Sequence, residues 1–371
     1  MKTFTNLKSA LLLCLFFNIP SYAQDETDIK NSVFEFFSTM KFSGQWFLGY
    51  QNGKSKNKNY NEFELKRGYV TFEKTFNKSL SARFTQDVTI DEEGDGKGDV
   101  ELRLKYIYLR YKFDSFAFFH KPFIEFGLIH RPWLEFEQKI NIYRLQGKMY
   151  LERNNVASSA DYGVGFFANL GGEMDDDYKK EINSNYAGKY GSIAIGVYNG
   201  GGYHALEENE NKIIESRLTI RPLHEVVPGL QLSYFGLIGK GNNINEPDYN
   251  SNAGFISFES KNLILTGTYY SGSGNITGTA VDALGNSNNM TGYSIFSEIK
   301  LGASNINLFG RYDYFKESRN PVDVANKAYI IGVSYDFYKK CRLLFDFDKS
   351  ESDLPGSTDN HYFEFAVEIA Y

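Results

Sequence analysis

The sequence predicts an all-β fold: a transmembrane antiparallel β-barrel of about 16 strands, or about 18 if one strand pair is hidden, with an inward-folded third extracellular loop. Three observations carry that prediction. Segments in which polar and apolar residues take turns recur about every 20 residues from Met40 onward, the period of two that a strand imposes. The chain holds 27 Tyr, 32 Phe and 34 Gly among 371 residues, yet its mean hydropathy is −0.41. No apolar run beyond the first two dozen residues approaches the roughly 18 residues that a membrane helix needs. A barrel strand meets lipid only at every second residue, so its average comes out polar while one face stays greasy.

Lys2 and Lys8 precede the apolar run 10–17, and Ser21-Tyr22-Ala23 offers small residues where a signal peptidase reads. Residues 1–24 therefore read as an export signal peptide and stand outside the fold. Cys14 lies in that run behind leucines, without the small residues of a lipoprotein signal. Cys341 is then the lone thiol, so no intramolecular disulfide is available. The signal removes two lysines and no acids, leaving 38 basic against 46 acidic residues, a net charge of −8. Such a balance has no electrostatic reason to seek nucleic acid. Residues 25–39 read as a short N-terminal lead-in, acidic and then apolar at Val33, Phe34, Phe36 and Phe37, and 40–371 as the barrel.

The strand cores fall at 41–51, 60–75, 79–90, 99–113, 122–129, 161–170, 190–198, 212–222, 229–239, 253–260, 262–271, 291–301, 304–315, 328–338, 341–348 and 361–371. Apart from Pro20 in the signal, the prolines (Pro122, Pro132, Pro222, Pro228, Pro247, Pro321, Pro355) sit at strand ends or between strands. A proline in mid-strand would remove a ladder donor, so a wrong division should have struck one. The connections alternate too: 77–78, 261, 302–303 and 339–340 are tight, whereas 52–59, 91–98, 199–211, 272–290, 316–327 and 349–360 are long. Short turns on the periplasmic side and long loops outside are the rule in outer-membrane barrels. Segment 171–189, long and acidic at Asp175, Asp176 and Asp177, falls on the short side against that rule, and a missed strand pair there gives the eighteen-stranded alternative.

In the clearest strands the two faces separate. Arg311 and Asp313 share a face opposite Ile306 and Leu308; Glu215, Arg217 and Arg221 share one, as do Arg342, Asp346 and Asp348. A charge in the middle of the lipid face costs about 2 to 4 kcal/mol, so these side chains should line the interior. The basic lumen candidates are Arg103, Lys105, Arg217, Arg221, Arg311 and Arg342, matched by Glu101, Glu215, Asp313, Asp346, Glu364 and Glu368. About 16 strands enclose more width than side chains can fill, which leaves an aqueous channel. In the last segment Phe363, Phe365, Val367, Ile369 and Tyr371 alternate with Glu364, Ala366, Glu368 and Ala370. This resembles the C-terminal assembly signal of outer-membrane β-barrels, and the resemblance implies the barrel assembly machinery as a partner.

The most distinctive stretch is 123–170. A strand breaks at Arg131-Pro132-Trp133, and a run with Lys139, Arg144, Lys148, Arg153, Glu135, Glu137 and Glu152 follows before Asp161 resumes the alternation. A loop this long inside a regular barrel is usually functional. Folded inward it narrows the pore, with Arg131, Lys139, Arg144, Lys148 and Arg153 as constriction candidates. Here the sequence resembles the phosphate-selective porin O and P family. The likeness rests on Lys41-Phe42-Ser43-Gly44, Phe63-Glu64-Leu65-Lys66-Arg67-Gly68, Leu104-Lys105-Tyr106-Ile107-Tyr108, Phe126-Gly127 with Arg131-Pro132-Trp133-Leu134-Glu135, and Val197-Tyr198-Asn199-Gly200-Gly201, spread over 41–371. It implies a homotrimeric sixteen-stranded diffusion channel among outer-membrane lipid, with an inward third loop and basic residues guiding anions such as phosphate. The mixed charge of the lumen candidates departs from that pattern, although selectivity is set at the narrowest ring.

Asp91, Glu93, Asp95 and Asp99 take the first, third, fifth and ninth places of a calcium-loop frame with Gly96 at the sixth, but Leu102 stands where a bidentate Glu belongs. An acidic, glycine-rich surface hairpin is the plainer reading, and no other metal or cofactor is implied. The five histidines show no ligand spacing, and no serine is marked for hydrolysis, so an enzyme is not expected. Asn275 and Asn289 match a glycosylation pattern by chance, and the glycines of 200–202 and 271–274 read as loop tips. Two function classes remain: a channel for small hydrophilic solutes, or a barrel scaffold for a surface or secretion apparatus with a plugged or incidental pore. In the second, 25–28 and 171–189 would be periplasmic handles. Transport of hydrophobic substrates would call for an apolar N-terminal plug, which does not precede the first strand.

Overall fold

A computed structural model describes residues 37–91, 96–319 and 322–371. The export signal, most of the lead-in, and Glu93 and Asp95 of the calcium frame lie outside the described residues. The chain separates into Met1–Met40 and Lys41–Tyr371, and the second unit is the barrel. Its strands are β1 (Met40–Ser55), β2 (Lys58–Thr75), β3 (Leu80–Ile90), β4 (Val100–Lys112), β5 (Phe119–His130), β6 (Ala160–Leu170), β7 (Gly191–Tyr198), β8 (Ile213–Ile220), β9 (Leu230–Lys240), β10 (Asp248–Glu259), β11 (Leu263–Ser273), β12 (Asn289–Lys300), β13 (Ile306–Ser318), β14 (Asp323–Tyr338), β15 (Cys341–Ser352) and β16 (Asn360–Ala370). Neighbours in sequence are neighbours in the sheet, and β16 closes on β1 from Gln45↔Ala370 to Lys54↔His361. Closure pairs the last edge, which a strand crossing lipid cannot leave open. Among the described residues no helix is long and apolar enough to cross a membrane.

The two faces follow the alternation. On β9, Gln231, Ser233, Phe235 and Leu237 point in while Leu232, Tyr234 and Ile238 are exposed. On β16, Glu364 and Ala366 are buried inside, and Phe363, Phe365 and Ile369 face out. Aromatic rings gather toward both ends of the outer face, as at a lipid–water boundary. Phe42 lies against Phe72 and Tyr371 at the end that holds the termini, called here the near end. Tyr293 meets Tyr314, and Tyr312 meets Tyr329, nearer the far end.

Sixteen strands stand, and 171–190 holds no further pair. It contains one short helix, α3 (Asp176–Glu181), capped by the Asp175 carboxylate that accepts from the Tyr178 N–H at 2.7 Å, and one isolated bridge, Glu173↔Gly188. Two expected far-end loops shrink. In place of a loop at 52–59, β1 and β2 run on to a two-residue turn, Lys56 and Asn57, both left-handed with φ of 48° and 65°. Such a turn matches the twist of the paired strands, so their ladder continues up to it. Likewise β13 reaches Ser318 and β14 starts at Asp323, trimming the expected 316–327 loop. In the 91–99 loop, the described Asp91 donates its N–H to the Asp99 carbonyl at 2.8 Å, a hairpin closure.

The wall is uneven. β2 has 18 residues and β14 has 16, whereas β7 and β8 have eight each. β4 meets β5 only from Ile107↔Leu128 to Lys112↔Phe123, so the far half of β4 rises above the end of β5. Gly127 makes that junction possible: its φ is 126°, and a Cβ would fall 2.4 Å from the Ile107 carbonyl oxygen. Opposite Thr85 and Gln86, β4 carries an extra residue, which turns both Lys105 and Tyr106 inward.

Candidate functional site

Residues 131–159, between β5 and β6, fold into the barrel and hold two short helices, α1 (Leu134–Glu137) and α2 (Tyr150–Arg153). One flank of this loop is an anchor. Arg131, wholly buried, donates from Nε to Glu215 Oε2 at 2.6 Å, and Arg217 Nε donates to the Pro132 carbonyl at 3.1 Å. Trp133 sits between Phe235 and Phe255, each 5.3 Å away, and its indole N–H donates to Glu137 Oε2 at 3.0 Å. Tyr143 stacks on Phe309 at 4.1 Å, and its hydroxyl donates to Glu298 at 2.8 Å. Arg311 caps the Lys148 carbonyl, Tyr150 donates to the Tyr314 carbonyl, and Arg153 pairs with Asp348 at 2.8 Å. In order these partners are β8, β9, β10, β12, β13 and β15, so aromatic packing holds the loop along one half of the wall.

Segment 171–190 fills the same half from the near end. Tyr186 meets Phe136 of α1 edge-on at 5.2 Å, and Arg217 lies over both rings at 4.9 and 4.1 Å. Asn183 Nδ2 donates to the Lys139 carbonyl and to Glu259, and Arg221 donates to the Tyr178 hydroxyl. Arg217, Arg221, Arg311 and Arg342 thus face inward as their strands require, but all four are buried beneath these two segments.

The other flank of the loop is a filter. Arg144 Nη2 donates to the Tyr69 hydroxyl at 2.6 Å, and Lys105 Nζ reaches the same oxygen at 3.1 Å. Lys105 also lies 4.6 Å from the Tyr69 ring centre and 5.2 Å from that of Tyr203, whose hydroxyl donates to Asp87 at 2.9 Å. Tyr203 belongs to the β7–β8 connection and covers the step where β4 outreaches β5. Arg67, Arg144, Lys105 and Lys148 all act on Glu152; burial raises its pKa, but these cations outweigh burial and hold it below the usual carboxylate range. Glu137, by contrast, is pushed up to about 7 by burial, against the pull of Arg311 and the Trp133 N–H.

Of the five constriction candidates, the structure brings Arg144 to Lys105 at the Tyr69 hydroxyl, and Lys148 acts with them on Glu152. Arg131 is walled into the Glu215 pair, Lys139 lies at the near-end foot beside Glu135, and Arg153 is held by Asp348 toward the far end. Arg103 pairs with Asp87 at 3.0 Å. Sequence reasoning missed Tyr69, Arg67 and Tyr203 as members of the zone. Lys66-Arg67 was a usable signal, since two successive charges break a strand's alternation; Lys66 also turns inward, donating to Glu364 and to the Gln146 carbonyl. Among the described residues no group of three or more His, Cys, Asp or Glu stands ready for a metal.

No family model matches the chain, and no curated protein matches it. Among solved structures, the fold is that of porin-like outer-membrane barrels. It is similar to the anion-selective porin from Comamonas acidovorans (TM-score 0.59, 11% identity, 90% of this chain and 99% of that one). It is similar too to Salmonella typhi OmpF, solved with daunomycin (0.60, 12%, 90% and 97%). A third likeness is to in-vitro folded OmpT, an outer membrane protein of Vibrio cholerae, in its trimer form (0.55, 11%, 90% and 99%).

Proposed function

We propose that this chain is a bacterial outer-membrane porin, passing small hydrophilic solutes by passive diffusion and favouring anions, with inorganic phosphate as the first to test. The near end is then periplasmic, and β16 carries the signal read by the assembly machinery. A homotrimer fits the low wall at β7 and β8, where a neighbouring barrel would shield the short strands. No catalytic step is part of this reading.

One observation carries it: Lys105, Arg144, Arg67 and Lys148 share a phenol and a single carboxylate, whereas on the anchor flank Arg131, Arg153, Arg311 and Arg342 each have their own acid and Arg217 and Arg221 are buried against rings and backbone carbonyls. Lys105 and Arg144 converge on Tyr69, and the exposed Lys148 acts with them on Glu152. Converging donors of one sign, in a cleft with low-dielectric walls, raise the local concentration of the opposite ion. The scaffold alternative draws on segment 171–190, which fills part of the near end. Planar-bilayer recording separates the two. A porin gives stable conductance steps and, in a potassium chloride gradient, a reversal potential of the sign for chloride preference, with phosphate reducing the current; a plugged scaffold passes no ions.

A further inference from the structure

Two adjoining cavities of about 550 and about 250 Å³ open at the far end, above the loop, and share Arg153, Asn154, Phe315 and Asn326. We infer that this chamber is a binding site for a neutral polyhydroxylated solute, a sugar or short oligosaccharide. The reading goes beyond the proposed channel and stands without it.

Charge is the first argument. Most ionised side chains lining the chamber are already matched: Arg153 by Asp348 at 2.8 Å, Asp313 by Arg311 at 2.9 Å, Glu317 by Arg319 at 2.7 Å and Glu351 by Lys349 at 2.5 Å, while Lys327 makes no ion pair among the described residues. Asp282 accepts from the Leu284 and Asn286 N–H groups of its own loop, both at 2.9 Å. An ion entering here meets Lys327 alone, where one at the filter meets Lys105 and Arg144 converging on one oxygen.

Hydrogen-bonding capacity is the second. Among the described residues, the Asn155 and Asn326 side chains make no hydrogen bond, and Asn154 uses only its Nδ2, toward the Tyr150 carbonyl at 2.9 Å. An amide offers donors and an acceptor side by side, which is what a hydroxyl needs, since it gives and takes at once. Phe315 adds an apolar floor, held by Tyr150 and by stacking on Tyr270, on which the C–H face of a sugar ring can rest.

Preorganisation is the third. Asn155 is fixed in the left-handed region at φ 57°, just past α2. The roof, 274–288, is tied down by Asn275 Oδ1, which accepts from the Thr279 and Ala280 N–H groups, and by Asn242, which donates to the Ile276 carbonyl. A site already shaped loses little affinity to ordering.

The test is isothermal titration calorimetry of glucose, N-acetylglucosamine and maltotriose into the refolded full chain in detergent, where conduction plays no part. At least one of the three should bind, and Asn155→Ala with Asn326→Ala should weaken it about tenfold, the loss of one or two hydrogen bonds. Inorganic phosphate should not compete. If the double variant fails to fold, Asn326→Asp, which keeps the shape and adds a charge, should give a comparable loss. The inference is overturned if none of the three sugars binds, if the variants bind as tightly as the parent, or if phosphate displaces the sugar.

Discussion

The two flanks of the inward loop are built from different materials. Toward β8–β15 the contacts are rings and matched ions: Trp133 between Phe235 and Phe255, Tyr143 on Phe309, Arg131 on Glu215. Toward β2–β4 they are cations about Tyr69 and Glu152. The first set is buried and fixes position; the second leaves Lys148 exposed and Arg144 half-buried over a buried Lys105. A constriction must be rigid and yet interact with what passes, and this loop divides those demands between its faces. Stability and selectivity should therefore respond to different residues.

The largest effect is expected on the anchor. Trp133→Ala should cost about 3 to 5 kcal/mol, as for other large core aromatics, and raise single-channel conductance as the loop comes free. Denaturant titration and bilayer recording check both halves, and an unchanged conductance would mean that the loop is held elsewhere. Next comes the buried pair. Arg131→Met or Glu215→Leu alone should cost about 3 to 5 kcal/mol by stranding a charge, while the double substitution should be close to neutral in a double-mutant cycle.

On the filter flank the pattern inverts. Arg144→Ala with Lys148→Ala should shift the reversal potential toward cations while moving stability by about 1.5 to 3 kcal/mol, the worth of one charged hydrogen bond. A large loss of stability there would erase the distinction between the flanks. The pH dependence concerns Glu137. Its folded pKa of about 7 lies above the roughly 4.3 of an unfolded Glu, so the folded chain holds a proton that the unfolded chain gives up. Stability should therefore fall as pH rises from about 4.3 to about 7 and level off above, and Glu137→Gln should remove that slope from the melting temperature.

Much of the barrel was legible because lipid and lumen alternate residue by residue. Phe363, Phe365 and Ile369 against Glu364 and Glu368, or Ile306 and Leu308 against Arg311 and Asp313, declare their faces without reference to any other strand. The loop's entry at Arg131-Pro132-Trp133 was legible for a similar local reason, a break in that pattern. What each basic residue does once inside was not. Arg131 and Arg144 look alike in sequence, and only the strand each meets, β8 with its Glu215 or β2 with its Tyr69, makes one an anchor and the other part of the filter. Segment 171–190 resisted reading because its purpose is tertiary: Tyr186 and Asn183 have meaning only against Phe136 and Glu259.

The central claim is that water runs along the β2–β4 side and not beneath the loop. Single cysteines at Lys148 and at Arg217, in a Cys341→Ser background, put it to the test with a charged, water-borne thiol reagent during bilayer recording. The account predicts that Lys148→Cys reacts quickly with a stepwise fall in current, while Arg217→Cys stays silent. Equal reaction at both positions, or reaction only at Arg217→Cys, would contradict it.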